Sequence, residues 1–212
     1  MIVSIVGAGS MGRGIGTRVV AGGNDVEFLD RDPSEAAALA QEVDGTGAGS
    51  AGVSDGASPG GEIVVFALPY GEVAGAIQQY GDAIAGKVVV DITNPVDFAS
   101  FDRLVTPPDS SAAEEIAKLL PDGTPVVKAF NTTFAGTLVA GSVAGQQLDV
   151  LLASDDDDAK QKVAAFVTAG GLRPVDAGPL RRARQLEHLG FLHMALQNSL
   201  GSQYGSTVKL LW

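Results

Sequence analysis

The residues able to do chemistry begin at position 7. Gly7-Ala8-Gly9-Ser10-Met11-Gly12 follows the apolar run Ile2-Val3-Ser4-Ile5-Val6 and opens a helical stretch. In such a turn the first glycine lets the chain bend sharply out of a strand. The second lets backbone N–H groups approach a pyrophosphate, and the third lets the helix pack closely on the sheet. The helix beginning near Ser10 then directs its positive end at the phosphates. A glycine turn alone is weak evidence in a chain with 28 glycines among 212 residues. Its surroundings make it specific. An amphipathic helix with Ile15, Val19 and Val20 comes next, followed by a second strand, Asp25 to Leu29, which ends at Asp30 about 20 residues on, where a carboxylate can meet a ribose. The chemistry implied is dinucleotide binding.

Three more segments end a strand with groups that can reach a ligand: Ala67-Leu68-Pro69-Tyr70, Thr93-Asn94-Pro95 and Ala129-Phe130-Asn131-Thr132-Thr133. Asn94 either hydrogen-bonds a ribose or a nicotinamide carboxamide, or simply starts an Asn-Pro turn. Polar groups just past Lys128 are ligand contacts or helix caps. The acidic run Asp155 to Asp158 precedes a helical pattern and is read as a cap that complements the helix dipole, not as a metal site. No catalytic triad, carboxylate dyad or metal cluster is legible. His188 and His193, five apart, do not share a helical face closely and are read as packing or interface residues.

To hold these groups together, the chain must supply a sheet with all its ligand-facing ends on one edge. Short β-branched runs near 2–6, 25–30, 63–67, 87–92, 125–130, 148–153 and 172–176 alternate with helical segments near 10–21, 33–42, 71–80, 111–120, 156–168 and 180–198. That series predicts an α/β fold, a doubly wound parallel (Rossmann) sheet covered on both faces, with a short C-terminal helical extension. The expected division is residues 1–178 for the dinucleotide-binding unit and 179–212 for the extension, both parts of one compact body. The Gly-, Ser- and Ala-rich stretch 44–61 is read as loops around a weak edge strand at Ala51-Gly52-Val53, not as a linker.

Composition excludes other classes. There is no cysteine, so disulfides, thiolate metal sites and cysteine nucleophiles are ruled out, in keeping with a reducing, cytoplasmic setting. Neither a signal-peptide pattern nor an apolar run approaching 18 residues is found, so the expectation is a protein without a membrane partner. Fourteen Lys and Arg against 25 Asp and Glu give a net charge of −11, which opposes nucleic-acid binding.

The order of Gly7 to Gly12, Phe66-Ala67-Leu68-Pro69, Val90-Asp91-Ile92-Thr93-Asn94-Pro95, Val127-Lys128-Ala129-Phe130-Asn131 and Val175-Asp176-Ala177-Gly178-Pro179-Leu180 resembles the coenzyme F420-dependent NADP oxidoreductase family. It is also similar to the oxidoreductase domain of the STEAP metalloreductases, which uses NADPH to reduce a flavin. The resemblance spans nearly the whole chain. It implies hydride transfer between a nicotinamide dinucleotide and a deazaflavin (coenzyme F420) or flavin ring, with a C-terminal extension that pairs subunits as a homodimer. Such a step needs two stacked rings and little acid or base help. Carried over by position, Gly7, Gly9, Ser10, Met11 and Gly12 hold the pyrophosphate. Ala67, Leu68 and Pro69 line the nicotinamide half, and Asn94, Pro95, Ala129 and Asn131 complete that wall. Arg31 faces the adenosine ribose.

One departure concerns the dinucleotide. NADP-specific members place a small hydroxyl residue before that arginine, whereas this chain has Asp30, whose carboxylate favours a ribose 2′-OH. The family implies NADP and the local charge implies NAD. Arg173, Arg181, Arg182 and Arg184 either receive the anionic tail of F420 or form salt bridges with Glu187 or a partner subunit, the second being favoured.

Two other readings compete. A β-hydroxyacid or imine reductase would use a lysine with an asparagine further on, and Lys128 and Asn131 invite the comparison, although Lys128 sits in a strand and is read as pointing off the sheet. A non-catalytic NAD(P)-binding redox sensor would equally lack acid and base groups. The apolar segment Phe191 to Trp212 predicts a dimer seam or a fold-back onto the core.

Overall fold

A computed structural model describes residues 1–54 and 58–212; part of the Gly-rich loop, 55–57, lies outside the described residues. Eight strands form one sheet in the order β10-β9-β6-β5-β4-β1-β2-β3, comprising β1 (Ile2–Val6), β2 (Asp25–Leu29), β3 (Ala51–Val53), β4 (Ile63–Phe66), β5 (Val88–Asp91), β6 (Val126–Lys128), β9 (Asp149–Ala153) and β10 (Arg173–Gly178). Strands β1, β4 and β5 are buried almost throughout, as expected of β-branched runs covered on both faces. The weak Ala51-Gly52-Val53 segment is indeed the edge strand, paired in parallel with β2.

Helices cover both faces. One face carries α1 (Ser10–Ala21), α2 (Pro33–Val43) and α6 (Asp157–Ala169), packed on Val3, Ile5, Val65, Val90 and Val127. The other carries α3 (Tyr70–Tyr80), α4 (Ala112–Ala117) and α7 (Ala183–Ala195), packed on Val6, Val64, Phe66 and Val89. Alternate residues of each strand thus feed opposite cores, the period-two rule of a pleated sheet. Asp156 caps α6, its side chain accepting from the Ala159 N–H at 2.8 Å, with Asp157 and Asp158 in the first turn. The acidic run is therefore a cap, and no His, Asp and Glu group suited to a metal occurs among the described residues.

The sheet is mostly but not wholly parallel. Strand β9 pairs with β6 in antiparallel fashion through Lys128 and Ala153, and β10 follows β9 in parallel. The reason lies in the connection. Between β6 and β9 the chain makes only a short helix, α5 (Ala135–Ala140), and a hairpin of β7 (Ser142–Val143) and β8 (Gln146–Gln147) turned by Ala144 and Gly145 at φ +49° and +73°. It never returns to the opposite edge, as a parallel crossover requires. The α5 helix and the hairpin were not expected from the sequence. The reversal makes α7 run back toward the ligand edge, followed by α8 (Gln197–Leu200). No described helix is long and apolar enough to cross a membrane.

Candidate dinucleotide site

The crevice opens where strand order reverses between β1 and β4, the switch point at which doubly wound sheets bind ligands. Gly7 has φ +113°, a conformation that excludes ordinary side chains, and its N–H bonds to the Leu29 carbonyl at 2.8 Å. A Cβ on Gly7 would collide with the Ala67 carbonyl, and one on Gly12 with the Gly7 carbonyl. Gly9 differs: among the described residues nothing lies within 4 Å of where its Cβ would be. Two of the three glycines are therefore needed for protein packing, while the third leaves open space toward the crevice. The first turn of α1 has no acidic residue and no side-chain cap. Helices α2, α4 and α6 are each capped by Asp32, Ser111 or Asp156. The uncapped α1 terminus at the open face of Gly9 fits a pyrophosphate.

A cavity of about 420 Å³ extends from this terminus across the ends of β4, β5 and β6. Of the residues singled out in the sequence, Gly9, Ser10, Met11, Ala67, Leu68, Pro69, Asn94 and Asn131 line it. Gly7, Asp30 and Arg31 line an adjoining cavity of about 330 Å³ with Leu68, Glu72 and Tyr80. Three predicted residues line neither cavity. Gly12 is buried against the glycine turn, Ala129 lies fully in the core, and Pro95 is buried with its carbonyl accepting from the Val105 N–H at 2.7 Å. They shape the wall from behind.

Asn94 and Asn131 form a reciprocal clasp. The Asn94 amide donates to the Asn131 carbonyl at 2.8 Å, and the Asn131 amide donates to Asn94 Oδ1 at 3.0 Å and to the Leu186 carbonyl at 2.8 Å. Phe130 adopts φ +59°, rare for an aromatic residue, turning the chain out of β6 so that Asn131 reaches across. Gly190 of α7 makes room for the clasp. The buried Thr93 Oγ1 and Asn131 Oδ1 have no hydrogen-bond partner among the described residues.

Sequence reasoning missed the far wall: Phe98, Phe134, Met194 and Tyr204. Phe134 packs on His193 at 4.4 Å and meets Tyr204 edge-on at 5.1 Å. His193 is buried between the Thr132 carbonyl (3.2 Å) and Ser206 Oγ (2.8 Å), packed behind Phe134, and burial lowers its pKa. His188 is exposed. Only the apolar and aromatic character of these positions was a signal; Met194 and Tyr204 reach the cavity because β9 reverses and α7 returns toward the ligand edge.

Lys128 does point off the sheet, but into the interior. It is fully buried and contacts Asp91 at 2.7 Å, Glu187 at 2.8 Å and the Thr93 carbonyl at 2.5 Å. Burial opposes its charge, but the two carboxylates outweigh that and raise its pKa; burial pushes the Glu187 carboxyl up as well. The alternative in which the four arginines receive an anionic tail finds no support at the cavity, and the favoured salt-bridge reading holds with different partners for Arg184 and Arg173. Arg184 pairs with Glu114 at 2.7 Å rather than with Glu187, Arg173 pairs with Asp149 at 2.6 Å and lies over the Trp212 ring, and Arg181 and Arg182 are exposed. None of the four lines the cavity.

Fold and cavity together define a Rossmann protein with a dinucleotide-type crevice. Residues 2–95 match the family model described as NADP oxidoreductase coenzyme F420-dependent. F420-dependent NADP reductase from Methanothermobacter marburgensis is 31% identical over 204 residues, covering 89% of this chain and 88% of that protein. Rat Metalloreductase STEAP3 is 34% identical over 185 residues, but these cover 87% of this chain and only 35% of that protein, so the chain spans about a third of its length. The structure of a candidate F420 dependent NADP-reductase from Arthrobacter sp. FB24 superposes with a TM-score of 0.84 at 26% identity, covering 99% of both chains. The chain belongs to the coenzyme F420-dependent NADP oxidoreductase family and is an oxidoreductase.

Proposed function

We propose that this chain transfers a hydride between the nicotinamide ring of a dinucleotide and the ring of coenzyme F420, with a flavin as the alternative acceptor. The carrying observation is the make-up of the large cavity: among its lining residues there is no carboxylate, lysine, arginine or histidine. Its two phenols, Tyr70 and Tyr204, are the only weak acids there, and burial raises the pKa of Tyr70. Hydride transfer between two rings asks for contact and exclusion of water rather than proton movement, and an apolar, amide-edged slot provides that. The N–H groups at the start of α1 would hold the pyrophosphate. Ala67, Leu68 and Pro69 would support one face of the nicotinamide, and the Asn94–Asn131 clasp would fix its edge. The β-hydroxyacid reading loses its base, because Lys128 is enclosed with Asp91 and Glu187.

Anaerobic mixing of the protein with F420 and either NADPH or NADH should bleach the deazaflavin absorbance with the matching loss of reduced nicotinamide. Dinucleotide binding without turnover toward F420, FMN or FAD would instead favour the redox sensor. We also assign the exposed Leu192, Leu196 and Leu200, spaced four apart along α7 and α8, to the seam of a homodimer.

A further inference from the structure

We propose that the adenosine end of the site selects NAD(H) over NADP(H), through Asp30 and Glu72. This deepens the functional reading above and rests on its placement of the dinucleotide. Two cavities meet at the end of β2. One is bordered by Gly7, Arg31 and Glu72, the other by Phe28, Pro33 and Val53, and both include Asp30, Gln79 and Tyr80. A nucleotide whose pyrophosphate sits on α1 must place its ribose at that junction.

Asp30 is held there rigidly. Its Oδ2 accepts from the Ala8 N–H of the glycine turn at 2.8 Å, and its Oδ1 accepts from the Asp32 N–H at 3.0 Å. Both bonds come from the backbone, so the carboxylate cannot swing away from an incoming group without opening the turn. Each oxygen keeps lone-pair capacity for a hydroxyl donor. Ribose 2′ and 3′ hydroxyls are such donors, whereas a 2′-phosphate brings nearly two negative charges and only acceptors.

The cation that would offset that charge is Arg31, and it is already engaged. Its guanidinium lies 3.2 Å from Glu72, so the junction holds two carboxylates against one arginine. No reinforcement is available nearby. From residue 19 to residue 86 the sequence contains no Lys or Arg other than Arg31, and this stretch includes β2, α2, β3, β4 and α3, which surround the junction. On α1, Arg13 pairs with Glu42 at 3.0 Å and Arg18 donates to the Val139 carbonyl at 2.9 Å. A 2′-phosphate would have to separate Arg31 from Glu72 and still sit beside Asp30.

The test is a titration of the intact protein with NADH and NADPH, read by nucleotide fluorescence, for wild type, Asp30→Asn and Glu72→Gln. Wild type should bind NADH about tenfold more tightly than NADPH, the scale of one unfavourable contact between partly exposed like charges. Asp30→Asn, which keeps an acceptor for the Ala8 N–H, should shift the ratio toward NADPH by a similar factor. Glu72→Gln, which leaves the glycine turn untouched, should strengthen NADPH binding several-fold by freeing Arg31. A wild-type preference for NADPH, equal affinities, or a ratio that neither variant moves would overturn the proposal while the hydride-transfer reading stands. Failure of both nucleotides to bind would overturn the two together.

Discussion

Replacing Lys128 with Met tests whether the buried charges hold the site together. Met preserves length and apolar stem but deletes an ammonium that contacts Asp91, Glu187 and the Thr93 carbonyl. The two carboxylates left behind have few other donors: Asp91 accepts the Thr93 N–H at 2.9 Å, and Glu187 accepts the Ala112 and Ala113 N–H groups at 2.9 and 3.3 Å. Stripping one partner from a fully buried ion pair costs about 3–5 kcal/mol. For a chain of this size that lowers the melting temperature by roughly 6–20 °C. The loss should depend on pH. A carboxyl whose folded pKa is raised binds its proton more readily when folded, so its burden on stability is relieved as pH falls toward that raised value. Without Lys128 the Glu187 pKa climbs further, so the deficit against wild type should be larger at pH 8 than at pH 5.5. Adding Glu187→Gln should restore about 1–3 kcal/mol by removing one bare charge while keeping an acceptor for α4. Urea denaturation followed by circular dichroism at both pH values reads wild type and both variants. A deficit below about 1 kcal/mol, or one that grows on acidification, would show that the trio is solvated and not a buried network.

Two other changes probe the cavity and its outer surface. Gly190→Ala should raise intrinsic helix propensity by ~1 kcal/mol yet weaken dinucleotide binding, because the new Cβ would sit 2.5 Å from Asn94 Oδ1 and 2.7 Å from the Asn131 carbonyl; titration with NADH showing wild-type affinity would contradict the clasp's role. Leu196→Asp, in the middle of the exposed leucine row, should convert a two-chain sedimenting species to a single chain, and a wild-type protein that already sediments as one chain removes the dimer assignment.

The first half of the sheet was legible because its signals are local. Runs such as Ile63-Val64-Val65-Phe66 and Val88-Val89-Val90 can only be doubly covered strands, and the glycine turn dictates a tightly packed helix directly after β1. What failed were decisions made at a distance. The direction of β9 depends on where α5 and its hairpin leave the chain, and a six-residue helix has too little periodicity to be seen. Lys128 in an apolar strand is odd by itself, but its partners lie 37 and 59 residues away. Glu187 was matched on paper to nearby arginines, whereas the fold gives it to Lys128 and gives Arg184 to Glu114. Pro95 and Ala129 belong to the segments that supply cavity residues but are themselves buried and line neither cavity, a distinction that motif matching does not resolve.

The return of α7 toward the ligand edge also sets an order of assembly. Until α7 is in place, the ammonium of Lys128 has Asp91 as its one acidic neighbour, and the Asn131 amide lacks the Leu186 carbonyl. A chain emerging from the ribosome can therefore close its glycine turn and first five strands early, while the wall around Asn94 and Asn131 waits for α7, which is made later. Charge balance in the interior and completion of the cavity wall then arrive in one event, so a half-finished chain would have its glycine turn formed while the Asn94–Asn131 side of the cavity stays open.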